Sequence, residues 1–151
     1  MSPNNPVINN NLGVYERANG NIDKAMEYYA SANGAGAEVG NNIGYLYLKS
    51  GDYVSATSNY GGVKSYNAAL AQTLNKDYAT ALRTIDASPD ANSAQGLYLK
   101  AIIGARMDDQ NLAMSNLKSA IAKDMSMKAR AKTDAEFNKY KDNSEFQAAV
   151  N

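Results

Sequence analysis

Two stretches of this chain run in parallel: Asn10-Asn11-Leu12-Gly13 leading to Gly20-Asn21-Ile22-Asp23-Lys24-Ala25, and Asn41-Asn42-Ile43-Gly44 leading to Gly51-Asp52-Tyr53-Val54-Ser55-Ala56. In each, a small residue is followed twelve positions later by alanine, and the pairing recurs as Ala69/Ala81 and Ala101/Ala113. Twelve residues carry the chain along a helix, through a tight turn and into a second helix running back. The small pair then marks where the two helices cross too closely for a larger side chain.

Other positions keep the same register. Five residues before the alanine stand Gly20, Gly51, Lys76 and Asp108, the expected turn, followed by Asn21, Asp52, Asp77 and Asp109. Asn and Asp at that point suit a helix N-cap, whose side-chain oxygen accepts from free backbone N–H groups. Four residues after the alanine comes a large side chain (Tyr29, Tyr60, Ile85, Leu117), and three further on Ala32, Val63, Ser88 or Ala120. Steps of four and three share one helix face, so the second helix of each hairpin buries a single stripe.

Composition narrows the function classes. The 151 residues fit one domain, 1–151, and 15 basic residues balance 15 acidic ones, with no dense basic run. That argues against a nucleic-acid or membrane-surface partner. No apolar run approaches the roughly 18 residues of a membrane span, and Met1–Pro6 lacks the basic and apolar regions of a secretory signal. Without Cys or His, zinc sites and the usual nucleophile–base pairs are excluded. No metal or cofactor is expected. Gly34-Ala35-Gly36 and Gly61-Gly62 lack the Lys-Ser/Thr of a phosphate loop and read as helix C-terminal stops.

The hairpin units fall at about 6–33, 37–63, 64–88 and 91–123. Asn5-Pro6 opens the first helix, to about Asn19, with its partner over Asn21–Ala32. The next pairs are Ala37–Ser50 with Asp52–Tyr60, Ser65–Leu74 with Asp77–Ala87, and Ala91–Arg106 with Asn111–Lys123. Steps between the alanines are 31, 25 and 32 residues. The short one, at Gly61-Gly62, predicts an irregular joint. Residues 125–151 leave the pattern: a basic amphipathic stretch at Met125–Thr133, the only two phenylalanines (Phe137 and Phe146), and Ser144-Glu145-Phe146-Gln147, which has the form of a capping box. A cap over the last repeat's apolar face is expected there, with a partner-binding tail as the alternative.

These residues resemble the tetratricopeptide repeat. Asn10–Gly13 and Asn41–Gly44 are similar to its first-helix signature, and Gly20–Ala25 and Gly51–Ala56 to its turn and second helix. The third and fourth units match at the turn, alanine and large-apolar positions. The resemblance covers about Pro6–Lys123 and implies an all-α superhelix of about four hairpins with C-terminal capping helices. Tyr66–Ala71, Tyr98–Arg106 and Asp134–Phe137 also resemble the C-terminal repeat segment of OmpA-related outer-membrane proteins of Bacteroidales. That likeness implies a periplasmic or outer-membrane-associated location, as part of a longer cell-envelope protein, without membrane insertion of this segment.

In that family the first helix of each hairpin lines a concave groove where ligands lie. Carried over, the groove positions are Asn10, Val14, Arg17, Asn41, Asn42, Tyr45, Lys49, Tyr66, Asn67, Leu70, Tyr98, Ile102 and Arg106. Amides, tyrosine faces and a few cations suit an extended peptide. The family's carboxylate clamp for chaperone tails does not fit, because only Asn42 matches it; Asn10, Val14, Val63 and Asn67 occupy its other positions. Asn11, Asn42 and Asn67 also suit local backbone bonding, and Tyr28, Tyr29, Tyr47, Tyr60 and Tyr78 suit packing between helices. The expected function is a non-catalytic scaffold that binds a protein or peptide partner. The alternative is a carbohydrate-binding module, as in glycan-binding outer-membrane lipoproteins with related repeats. An enzyme would need carboxylates such as Glu38, Asp108 and Asp109 to converge.

Overall fold

The computed structural model describes residues 5–151; the Met1–Asn4 part of the opening segment lies outside them. The protein is all-α: the described residues form ten α-helices and one 3-10 helix, without a strand. They fall into two compact units that meet in sequence at Val63/Lys64, immediately after the Gly61-Gly62 joint.

The first unit holds two hairpins, α1 (Pro6–Ala18) with α2 (Ile22–Ala30) and α3 (Ala37–Ser50) with α4 (Tyr53–Tyr60). Within it α2 packs on α3. Ala25, Tyr29 and Ala32 bury against Val39 and Leu46, with Val14, Met26 and Ile43 at the margin. The glycines of the first-helix signature allow this packing: a Cβ on Gly13 would lie 2.4 Å from the Tyr29 ring, and one on Gly44 3.2 Å from the Tyr60 ring. The small position thus receives the large side chain four residues beyond the alanine.

The second unit contains α5 (Tyr66–Leu74) with α6 (Tyr78–Asp86) and α7 (Ala94–Arg106) with α8 (Gln110–Lys123). Ala69, Ala81 and Ile85 pack on Leu99 and Ile103, so α6 meets α7 as α2 meets α3. The other side of α7 and α8 is covered by α9 (Ser126–Thr133), a 3-10 helix (Ala135–Tyr140) and α10 (Ser144–Val150). Their Met127, Ala131, Phe137, Tyr140, Phe146 and Val150 join Leu97, Tyr98, Leu117 and Ile121 in one core. The C-terminal segment buries the apolar face that the fourth hairpin would otherwise present to water.

All four turns close in the same way. Gly20, Gly51, Lys76 and Asp108 have φ of 80°, 85°, 64° and 60°, the left-handed region in which a Cβ is disfavoured. Asp52, Asp77 and Asp109 then cap α4, α6 and α8 by accepting from Ser55, Thr80 and Leu112 N–H. Asn21 departs from the pattern, making no cap bond; its amide instead donates to Glu16 at 2.6 Å. Lys76 carries the strain of its turn with no side-chain bond in return among the described residues. Lys76→Gly therefore raises stability by about 0.5 kcal/mol, the relief of φ outweighing the entropy of a freer unfolded chain. A higher urea midpoint checks it; an unchanged one refutes the strain argument.

Three local expectations need correction. Helix α2 ends at Ser31 and not at the Gly34-Ala35-Gly36 run; Gly34 and Gly36 (φ 95° and 104°) turn the chain, and Gly36 is the residue that opens α3. Gly61 (φ 54°) does close α4. Helix α7 starts at Ala94, capped by Ser93, because Ser88–Ser93 forms its own turns through Ser88 and Ser93 hydroxyls. The last helix is capped by Asn143, which accepts from Glu145 and Phe146 N–H, so Ser144 is the first helical residue rather than the cap.

Candidate partner-binding surface

In the first unit four of the expected groove residues, Asn10, Arg17, Asn42 and Tyr45, form one connected strip across α1 and α3. Arg17 donates from Nη1 to the Asn42 amide oxygen at 3.1 Å, and the Asn42 amide donates in turn to Asn10 Oδ1 at 3.0 Å. The Arg17 guanidinium also stands over the Tyr45 ring, 5.1 Å from its centroid. Asn10 is buried; Arg17, Asn41, Asn42 and Tyr45 are half-buried; Lys49 is exposed in the last turn of α3. The Asn41 amide oxygen is enclosed without a hydrogen-bond partner among the described residues. Spacing along α1 explains the assembly: Asn10, Gly13 and Arg17 recur at three and four residues, so one helix face carries all of them.

The charge of Arg17 also reaches two buried tyrosines of this unit. Burial pushes the Tyr60 phenol up to about 12, helped by Tyr45, while the charge of Arg17 opposes the shift. Tyr29 is raised by burial and opposed by Arg17 in the same way. Both hydroxyls are enclosed and lack a bond among the described residues. They stay protonated at physiological pH. Tyr29 and Tyr60 are buried as expected, whereas Tyr28, Tyr47 and Tyr78 are half-buried.

The second unit treats its expected groove residues differently. Tyr66 and Asn67 are half-buried at the start of α5, and Tyr66 and Leu70 lie against the α5–α7 core. Tyr98 is buried instead of facing a groove. Its ring meets Phe137 edge-on at 5.6 Å, Arg130 stacks 4.2 Å from its centroid, and its hydroxyl donates to Asp134 at 2.9 Å. Burial, and then the Asp134 bond, raise its pKa. Arg106 is likewise engaged: Nε donates to Glu136 Oε2 at 3.0 Å, Nη2 to the other carboxylate oxygen, and Nη1 to Thr73 C=O at 3.2 Å. The Glu136 bond raises its pKa further, against the opposing effect of burial, so the cation persists. Ile102 packs against the C-terminal core.

Sequence reading missed the residues that occupy Tyr98 and Arg106. Asp134 and Glu136 lie 36 and 30 residues away along the chain, outside the repeat register that located everything else. It also missed Asn9, buried on α1, whose amide donates to Ser31 C=O at 3.0 Å and ties α1 to the end of α2. The carboxylates considered for catalysis lie apart in function: Asp109 caps α8, Asp108 pairs with Lys139, and Glu38 sits exposed in the first turn of α3. Among the described residues no helix is long and apolar enough to cross a membrane. Comparison of the chain with protein-family models, with curated proteins and with solved structures finds no match.

Proposed function

We propose that this chain is a non-catalytic helical scaffold that holds an extended segment of a protein partner along the first helices of its first unit, α1 and α3. The observation that carries the reading is the Arg17–Asn42–Asn10 chain of hydrogen bonds. It fixes a guanidinium, two amides and the Tyr45 ring in one orientation before any partner arrives, which lowers the ordering cost of binding. Amides at such a strip suit backbone N–H and C=O groups, and a rigid tyrosine covers an apolar side chain at low entropy cost. The resemblance to OmpA-related proteins makes the cell envelope the compartment in which to seek the partner.

Crosslinking and mass spectrometry in a native envelope identify the partner, and binding is then measured with the purified chain. Tyr45→Ala weakens binding by roughly tenfold, the scale of an aromatic anchor. Lys49→Glu slows association and flattens its dependence on salt, leaving the thermal midpoint unchanged because the side chain is exposed. Unaltered affinity in both variants would rule out this strip. Arg106 is not a clean probe of binding: reversing its charge leaves Glu136 facing another carboxylate and so costs stability first.

A further inference from the structure

Helix α1 is apolar on the wrong side for an isolated end. Its buried positions are Asn9, Asn10 and Gly13, while Ile8, Leu12 and Tyr15 face outward among the exposed large hydrophobics. These three are spaced by four and three residues, so they form one stripe on one face. A solvated helix face normally carries polar residues, and a contiguous apolar stripe marks an interaction surface.

The repeat register says what such a stripe receives. Shifted by the 31 residues that separate Gly13 from Gly44, Ile8, Leu12 and Tyr15 become Val39, Ile43 and Leu46 of α3. Those residues pack against Ala25 and Tyr29 of the preceding helix, α2, and Ala32 just beyond its end. The second unit repeats the contact: Ile103 of α7, two residues beyond Ala101 as Tyr15 is beyond Gly13, packs against Ala81 and Ile85 of α6. At this one register position Tyr15 is 63% exposed where Leu46 is 7% and Ile103 0%. Wherever the structure shows a helix of the α2 type on this face, it covers the stripe.

We infer that the Ile8–Leu12–Tyr15 face of α1 is a docking site for an amphipathic helix from outside residues 5–151, bearing a small–x3–large pair like Ala25 and Tyr29 of α2 and ending in a small residue such as Ala32 in the turn beyond. The surface is distinct from the Arg17–Asn42 strip, so the inference goes beyond the proposed groove and does not depend on it. A helix seated here continues the stacking of α2 on α3 by one hairpin. Its recognition is apolar and steric, needing no net charge.

A fusion tests the fit with a known probe. Residues 6–36, one full period, are duplicated ahead of Pro6 in the full chain, so that the copy's second helix meets α1 as α2 meets α3. Amide exchange of α1 should slow by at least about tenfold relative to the parent chain, as expected for burying three large apolar side chains. Tyr15→Glu at the original position should abolish that gain in the fusion, yet leave the thermal midpoint of the unfused chain unchanged. Equal α1 exchange in fusion and parent overturns the inference. So does a parent chain that sediments as a dimer with α1 already protected, since a second copy of the chain would then be the occupant.

Discussion

Phe137→Ala lowers the stability of the second unit by about 3–5 kcal/mol, the range for truncating a fully enclosed aromatic. Phe137 has no exposed surface, although it sits on a 3-10 helix of only six residues. Its ring makes an edge contact with Tyr98 at 5.6 Å and a tilted one with Phe146 at 6.0 Å. Removing it opens a cavity among Tyr98, Phe146 and their neighbours, which are held by separate elements. The short helix cannot follow the missing ring inward, because Asp134 and Glu136 beside it are tied to Tyr98 and Arg106. Little relaxation is available, which places the cost toward the upper part of the range. Urea unfolding followed by near-ultraviolet tyrosine signals measures it. A loss below about 1 kcal/mol would mean that the C-terminal segment is not docked on α7 and α8.

Much of the fold was legible because one register repeats. The twelve-residue pairing located all four hairpins, and the residue five before each alanine proved to be the turn even where it is Lys76 or Asp108. A turn that demands positive φ leaves a positional trace whatever residue fills it, provided the flanking helices are recognisable. The first unit's strip was legible for the same reason: Asn10, Arg17, Asn42 and Tyr45 meet through the offset between equivalent positions of α1 and α3. What stayed hidden lies off the register. Residues 134–140 carry no helical period, so nothing in their spacing announced a 3-10 helix or showed that its carboxylates would take Tyr98 and Arg106. Helix ends were misread where two acceptable caps adjoin, as at Asn143-Ser144, because only the backbone's path decides which side chain reaches the free N–H groups.

Gly104→Leu probes a tight contact between α7 and α8 that lies one turn of helix beyond the register's Ala101. The twelve-residue pair there is Ala101/Ala113, both buried, but Gly104 also packs close against Ala113. A Cβ on Gly104 would stand 2.6 Å from Ala113 N and 3.0 Å from Ala113 Cα. Those neighbours are backbone atoms, which no rotamer change can move aside. Gly44 is the useful contrast: its Cβ would meet only the Tyr60 ring, at 3.2 Å, and a ring can give by a few tenths of an ångström. Alanine inside a helix is favoured over glycine by about 1 kcal/mol. At Gly44 that gain roughly offsets the crowding, so Gly44→Ala changes stability by less than about 1 kcal/mol. At Gly104 the helix gain is outweighed, since overpacking costs about 1–3 kcal/mol even where side chains can shift. Gly104→Leu adds a branched side chain to the same blocked position and lowers stability by about 3 kcal/mol or more. Thermal and urea unfolding of Gly44→Ala and Gly104→Ala side by side, with Gly104→Leu as the extreme, measure the contrast. Equal tolerance at both glycines would mean that α7 and α8 cross farther apart than the Gly104–Ala113 contact requires.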